Sequence, residues 1–337
     1  KKILVFGGEC LFENQVVDLL VDNGLVKGVK LSDSSAITAD AIILATGHSA
    51  RDIFQLLYDK KLHIESKPFA LGVRVEHPQQ LIDQLQYHCL VRDRFLPPAS
   101  YSLVQQVDGK GVFSFCMCPG GIIAPASTSP GELVVNGWSP SKRNNPYANS
   151  GIVVEVLKDD LKRLKDFESV CGENKKVLES ALGMMYFQKY AERKAFAAGG
   201  GKFVAPVQRL IDFAENKYSS TLPGCSYLPG IRSTLLNEVL PLAAHKSLQL
   251  AFKEFGRKMS AFGGRSYYTN EAVVVAVESR TSSPVRIPRD KVTLQHPQLK
   301  NLYPCGEGAG YAGGIMSAAM DGERVVDQIC LKLKANP

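Results

Sequence analysis

The residues best suited to chemistry lie near the end of the chain. There Tyr303-Pro304-Cys305-Gly306-Glu307-Gly308-Ala309-Gly310-Tyr311-Ala312-Gly313-Gly314-Ile315 feeds a run of small residues, Ser317, Ala318 and Ala319. A carboxylate at a strand end, here Glu307, can accept hydrogen bonds from ligand hydroxyls, and the glycines allow a large flat group to lie against bare backbone. A helix that starts just beyond adds free N–H groups and partial positive charge. Five glycines around one acid, Gly306, Gly308, Gly310, Gly313 and Gly314, exceed what a plain turn before an amphipathic helix needs.

A second patch is Ala45-Thr46-Gly47-His48, at the end of the apolar run Asp40 to Leu44. Ligands of open parallel sheets bind at that strand edge, and Gly47 again lets backbone come close to a ligand, although a strand ending in a turn would look the same. His48 titrates near neutrality and could donate a proton or contact the ligand; it could equally be a hydrogen-bonded loop histidine. A third patch, Cys116-Met117-Cys118-Pro119-Gly120-Gly121, offers a thiol pair able to exchange electrons through a disulfide. A C-x-C ring is strained and buried cysteine is usually inert, so the alternative is a loop that shapes the substrate side of the site. Arg51, Arg74, Arg209, Arg280 and Arg286 could each bind an anionic substrate or phosphate, or form a structural ion pair. Ser283, with Thr281 and Ser282, stands either near the ligand or in an ST-turn.

These patches need elements to hold them. Lys1 to Phe6 followed by Gly7-Gly8 suits a helix tail. Cys10 to Leu20, the turn Asp22-Asn23-Gly24 and Leu25 to Leu31 predict an antiparallel meander, and Asp40 to Leu44 a parallel strand buried on both faces. Between about Leu62 and Glu278 short strands such as Ala70 to Val75, Gly111 to Cys116 and Leu133 to Asn136 alternate with Pro-, Gly- and Ser-rich loops. Two long helices are expected there, over Asn174 to Ala198 and Ser233 to Phe255, both core elements by their apolar spacing. Strands at Glu271 to Val277 and Val285 to Ile287 and a helix from Gly313 to Leu333 complete the reading.

The whole chain sets bounds. Its 337 residues, 45% hydrophobic and 22% charged, are enough for about two domains with a large core. The balance of 40 Lys+Arg against 33 Asp+Glu gives +7, but the charges are scattered and form no basic block that would mark a nucleic-acid tail. No uncharged apolar stretch reaches membrane-spanning length, and no secretory signal opens the chain. The eight cysteines are too sparse for a disulfide framework and form no zinc knuckles, so no metal site is expected and the location is expected to be reducing and cytoplasmic. The chain opens with Lys1 directly on an apolar run, so the natural start is expected upstream.

Five segments together carry a resemblance: Leu44 to Asp52 (LATGHSARD), Lys67 to Pro78 (KPFALGVRVEHP), Phe115 to Gly121 (FCMCPGG), Ser279 to Ile287 (SRTSSPVRI) and Tyr303 to Gly322 (YPCGEGAGYAGGIMSAAMDG). The chain closely resembles a bacterial family of FAD-dependent dehydrogenases of uncharacterised substrate, essentially end to end. The resemblance implies an α/β fold: a partial FAD-binding domain, Rossmann-like and of the glutathione-reductase type, built from both chain ends (1–61 and 281–337). Residues 62–280 would be an inserted α+β substrate domain. The family's amino-terminal G-x-G-x-x-G unit, which holds the FAD pyrophosphate, has no counterpart between a strand and a helix here.

By the resemblance, Thr46 and Gly47 line the cofactor crevice and Glu307 bonds the ribityl chain. Gly306, Gly308 and Gly310 form the loop, and Gly313, Gly314 and Ile315 offer backbone to the isoalloxazine edge. His48, Cys116, Cys118 and Ser283 are the candidate catalytic residues, and Arg74 and Arg280 the candidate substrate ligands. The implied function is an FAD-dependent oxidoreductase that passes a hydride from a small-molecule substrate through flavin N5, with the helix start stabilising charge at N1 and NADH or NADPH as a candidate reductant. The alternatives are a flavin-dependent RNA-modifying protein and a flavin-fold binding module without turnover. The scattered charge and the absence of a recognised RNA-binding motif weigh against the first, and the intact Glu307 loop against the second.

Overall fold

The computed structural model describes residues 1–261 and 263–335, and the chain divides into two compact units. The first is formed by the two chain ends, residues 1–67 and 285–337, and the second by residues 68–284.

In the first unit the strands Val16–Asp22, Leu25–Leu31 and Ala36–Thr38 form the expected antiparallel meander. Asn23 and Gly24 both take positive φ at its first turn, as the two-residue hairpin requires. The first strand starts at Val16 rather than Cys10. The residues before it are exposed, include no β-branched residue from Cys10 to Gln15, and leave the extended conformation at Glu13 (φ of +61°), so the ladder does not reach them. A short helix, Lys2–Val5, precedes it.

The apolar run after the meander forms only Ile42–Leu44, which pairs in parallel with Leu302–Pro304 in register Ile42↔Leu302, Ile43↔Tyr303, Leu44↔Pro304. The expectation of a strand buried on both faces is corrected here: Leu44 is buried, whereas Ile43 is 40% exposed. In an alternating strand the two faces are set independently, and here one packs inward while the other carries no covering layer among the described residues. Beneath this pair, Leu294, Tyr303, Cys305 and Val325 form a small core to which Ala41 and Ile329 add. The amphipathic helix Arg51–Asp59 turns Ile53, Phe54 and Leu57 inward, and the closing helix Ile315–Ala335 reaches the core through Val325.

The second unit is a mixed α/β body around a seven-stranded sheet. Its spatial order is Ile231–Ser233, Ala205–Arg209, Val273–Glu278, Phe69–Pro78, Tyr147–Val156, Lys110–Cys118, Val104–Val107. All neighbours are antiparallel except the first pair. The strand Phe69–Pro78 is buried at every position but its last, Arg74, Glu76 and His77 included, so its polar residues must find partners inside the unit. Separately, Ile122–Pro125 and Val135–Trp138 form a two-stranded ladder.

Both long helices are shorter than their apolar spacing suggests. Asn174 to Ala198 breaks into a 3₁₀ turn, Lys175–Glu179, and a helix, Gly183–Ala198, because Ser180 is extended between them. Ser233 to Phe255 is interrupted by Pro241, which has no N–H to donate and disfavours helical backbone at Leu240. The helix therefore runs Leu242–Lys258, after a separate 3₁₀ turn at Leu236–Glu238. The packing sense of both segments is as expected, with Met184, Met185 and Phe187 on one helix and Leu248, Ala251, Phe252 and Phe255 on the other buried.

Candidate functional site

In the first unit the parallel pair Ile42–Leu44 and Leu302–Pro304 brings two patches 260 residues apart in sequence to the same carboxyl edge. The Cys305 N–H donates to the Leu44 carbonyl at 3.0 Å, continuing the ladder one residue beyond the strands. The loops leaving that edge, Ala45 to His48 and Gly306 to Gly310, then lie side by side. A Cβ on Gly308 would fall 2.5 Å from the Gly47 carbonyl oxygen, so neither loop could hold this approach with a larger residue at 308. His48 Nδ1 and Glu307 Oε1 meet at 3.1 Å, both partly accessible.

The glycine loop is held from behind by a network no local pattern announces. Gly306 and Gly310 take φ of +71° and +83°, with the Gly310 N–H donating to Glu307 O at 2.9 Å. Asp321, on the closing helix, accepts from the Gly306 N–H at 2.7 Å and from Arg289 at 2.5 and 2.9 Å. Burial alone would raise the Asp321 carboxyl, but the Arg289 pair and the Gly306 N–H outweigh it and hold it below the usual carboxylate range. Arg289 also stacks over the Tyr311 ring, 3.9 Å from its centroid, and donates to the Pro304 carbonyl at 2.8 Å. Sequence reasoning missed Arg289 and Asp321 because they stand 32 positions apart, with no motif linking them.

Lys67 is another residue that went unassigned although it opens one of the quoted segments. It lies beside the same loop, its Cδ 3.3 Å from where a Gly310 Cβ would stand. Burial and the neighbouring Arg286 lower its ammonium pKa, with Glu307 opposing the change. A depressed lysine, an arginine, an acid and a histidine thus border one glycine loop.

Beyond that loop the surface opens. No atom lies within 4 Å of a Cβ built on Gly47, Gly313 or Gly314, and Ile315 at the start of the 21-residue closing helix is 90% exposed. Open backbone at three glycines, a helix amino terminus and a reachable carboxylate fit a large, flat, hydroxyl-bearing group such as a flavin nucleotide. Thr46 also borders an apolar cleft of about 300 Å³, floored by Leu19, Ile42, Leu44 and Ile53.

The remaining candidates lie in the second unit. Cys116 is exposed with φ of +45°, whereas Cys118 is buried, and neither is in a disulfide. Arg74 is fully buried. Its guanidinium donates to Asn149 Oδ1 (2.9 Å), Glu278 (3.0 Å), the Cys116 carbonyl (2.6 Å) and Cys118 Sγ (3.6 Å). Arg74 therefore ties the Cys116–Cys118 strand to the central strands of the sheet. Burial lifts the Glu278 carboxyl above its ordinary value despite Arg74, which itself stays charged.

Arg280, also buried, bridges Glu132 (3.3 Å) and Glu192 (3.1 Å) and donates to Thr128 Oγ1 at 2.5 Å. Ser283 is 1% exposed, and Thr281 is engaged with both the N–H and the carbonyl of Ala70. The acid partners of both arginines, Glu278, Glu132 and Glu192, were not singled out in the sequence because each lies far from its arginine or in an otherwise apolar run. Among the described residues no group of three or more His, Cys, Asp or Glu side chains is placed to hold a metal, and no helix is long and apolar enough to cross a membrane.

One unit brings a glycine loop, an acid and a helix start to the edge of a parallel strand pair and the other is a large mixed sheet with helices, which defines the class as a mixed α/β protein. The family model described as FAD-dependent protein, C-terminal domain-like, matches residues 68–281, and the chain belongs to that FAD-dependent family. An uncharacterized protein of Clostridium beijerinckii is 37% identical to it over 336 residues, or 98% of this chain. The chain spans 59% of the length of that relative.

Proposed function

We propose that this chain is the flavin-facing part of an FAD-dependent oxidoreductase, with a Rossmann-like cofactor region of the glutathione-reductase type in residues 1–61 and 281–337 and a substrate region in residues 62–280. The observation that carries the reading is the approach of Gly308 to Gly47, which sets Glu307 and His48 together at the edge of the strand pair. Membership of an FAD-dependent family agrees with it.

In this reading Thr46, Gly47, Gly306, Glu307, Gly308, Gly310, Gly313, Gly314 and Ile315 hold the cofactor. Glu307 accepts hydrogen bonds from its hydroxyls, and the bare backbone of Gly313 and Gly314 permits a flat ring to lie close. The free N–H groups that begin the helix at Ile315 favour negative charge placed before them, and they need no reorganisation to do so. When bound, FAD supplies the capacity to accept and return a hydride. His48, oriented by Glu307, holds or moves a proton at Nε2, and Lys67, with its lowered pKa, supplies a second proton-carrying group beside the loop. Cys116 and Cys118, positioned by Arg74, and Ser283 belong to the substrate side. The substrate is a small molecule, and NADH or NADPH is the candidate reductant.

The test is the visible spectrum of the purified protein before and after incubation with FAD and desalting, made on this chain and on the protein extended to its relative's length. A flavin spectrum in the longer protein that anaerobic NADH or NADPH bleaches is expected. A longer protein that neither contains nor takes up flavin would overturn the reading.

A further inference from the structure

The cysteine pair of the second unit sits on an irregularity of the sheet. In a regular strand residues i and i+2 stand about 6.6 Å apart with parallel side chains, near the far limit of what a disulfide spans. Cys116 and Cys118 depart from that geometry. Where Tyr147–Val156 advances two residues, from Asn149 to Gly151, its partner strand steps back three, from Cys118 to Phe115, so one extra residue bulges out between them. Cys116 takes φ of +45° within this bulge. A bulge re-aims side chains that a regular ladder would hold parallel. The Cys118 sulfur accordingly leans back over residue 116, its S–H donating to the Cys116 carbonyl at 3.3 Å.

The surroundings hold this arrangement in place. One Arg74 nitrogen, Nη2, donates both to the Cys116 carbonyl at 2.6 Å and to the Cys118 sulfur at 3.6 Å. Burial works against the guanidinium charge, but Glu278, Cys118 and Cys116 raise its pKa, so both sulfurs act on the same cation. A Cβ on Gly121 would fall 2.8 Å from the Cys118 Cβ, which shows how tightly the turn after the pair packs on that side chain. The Gly120 N–H anchors the turn on Gln79 Oε1 at 2.7 Å. The two thiols differ in access, Cys116 being exposed and Cys118 buried. An accessible thiol that a small oxidant reaches first, with a shielded thiol beside it, suits oxidation of one sulfur and its resolution by the other.

We propose that Cys116 and Cys118 form a two-electron dithiol couple that a small hydroperoxide oxidises. The Cys116 sulfur attacks the terminal peroxide oxygen: an S–O bond forms, the O–O bond breaks, and the thiol proton leaves with the alkoxide as an alcohol. The Cys118 sulfur then attacks the sulfenic sulfur of Cys116: an S–S bond forms, the S–O bond breaks, and the Cys118 proton leaves with the hydroxyl as water. The two thiols have given up two electrons and two protons, and the peroxide has become one alcohol and one water. A low-molecular-weight thiol reverses the couple by exchange, two equivalents being oxidised to their own disulfide. Neither direction needs a flavin, so the couple stands apart from the cofactor reading.

The probe is tert-butyl hydroperoxide added to the reduced, intact chain, read by peptide mapping after alkylation and by dimedone, which captures sulfenic acids. A Cys116–Cys118 disulfide is expected, with the mass of two hydrogens lost, before the exposed Cys10 and Cys330 are oxidised. Added thiol should return both residues to the alkylatable form. In Cys118→Ser the reaction should stop after its first step, with dimedone on Cys116. In Cys116→Ser, Cys118 should stay unmodified while the melting temperature shows the fold intact. Linkage of Cys116 to a second chain in place of Cys118, dimedone on Cys118 of the folded Cys116→Ser protein, or an unmodified Cys116 when Cys10 and Cys330 are already oxidised would each overturn the proposal. Should either variant fail to fold, the map of the unmutated chain decides alone.

Discussion

Gly308 and Gly47 approach so closely that a Cβ on Gly308 would sit 2.5 Å from the Gly47 carbonyl oxygen, and on either side of this contact Glu307 meets His48 at 3.1 Å. The contact couples the two chain ends at the carboxyl edge of the parallel pair Ile42–Leu44 with Leu302–Pro304. The chemistry assigned to this edge depends on that single backbone approach.

Gly308→Ala should therefore push the two loops apart and destabilise the fold by roughly 1–3 kcal/mol, the usual cost of overpacking. Gly313→Ala meets nothing within 4 Å and should leave the melting temperature unchanged. If FAD uses that open space, Gly313→Ala lowers flavin affinity without lowering stability, and thermal melts paired with flavin titrations read both effects.

Glu307→Ala tests the acid directly. Its carboxylate is partly accessible and makes no buried network, so the variant should fold normally. Lost charge-assisted hydrogen bonds of about 1.5–3 kcal/mol each predict FAD affinity lower by roughly tenfold to a hundredfold. Unchanged affinity would remove Glu307 from the cofactor site.

Arg74→Met should be among the most damaging single changes in the second unit. It strands the Glu278 carboxylate, 3.0 Å from the missing guanidinium and fully enclosed, at a cost of about 3–5 kcal/mol. Replacing Glu278 by Leu at the same time removes the stranded charge, so the double variant should be more stable than Arg74→Met alone. Urea unfolding of the three variants gives the coupling.

Stability should fall as the solution is acidified below neutrality. Burial pushes His77 down to about 4, against the opposing contact with the Tyr267 carbonyl, and burial likewise holds His245 at about 4. Between about pH 6.5 and 4 the unfolded chain binds protons that the native histidines refuse, so stability is complete above the unfolded pKa and is lost as the pH drops toward the folded one. For His77 alone the loss at pH 5 is on the order of 2 kcal/mol. Urea midpoints at pH 7.5 and pH 5, compared between the protein and His77→Gln, separate it from the raised Glu76 and Glu278 carboxyls, which favour the fold on acidification, and an equal pH dependence in the two proteins would contradict a buried neutral His77.

Alkylation separates the two loop thiols. Cys116 is exposed and should react with iodoacetamide in the native protein, whereas Cys118 is buried beneath Arg74 and should react only after unfolding. Peptide mapping after mild oxidation tests the redox role: a Cys116–Cys118 disulfide would support it, and its absence would leave the loop as a shaped wall.

Much of the candidate edge was legible because its signals are local. Glu307 with its glycines, and Thr46-Gly47 after an apolar run, each announce a strand end within a dozen residues. The supporting network was not legible, since Arg289 and Asp321 meet only because a loop and a helix fold back on each other. Helix limits failed where one residue overrode the periodicity, as Pro241 does by removing a donor and constraining its predecessor.

The sequence by itself determined the glycine loops, the meander turn, the apolar faces of the helices and the resemblance to FAD-dependent proteins, because turn chemistry and periodicity act between near neighbours. Tertiary structure alone decided that Glu307 meets His48, and that Arg74 and Arg280 face buried acids. Those outcomes depend on pairings across about 90 to 260 positions, where burial and strand register, not local preference, choose the partner.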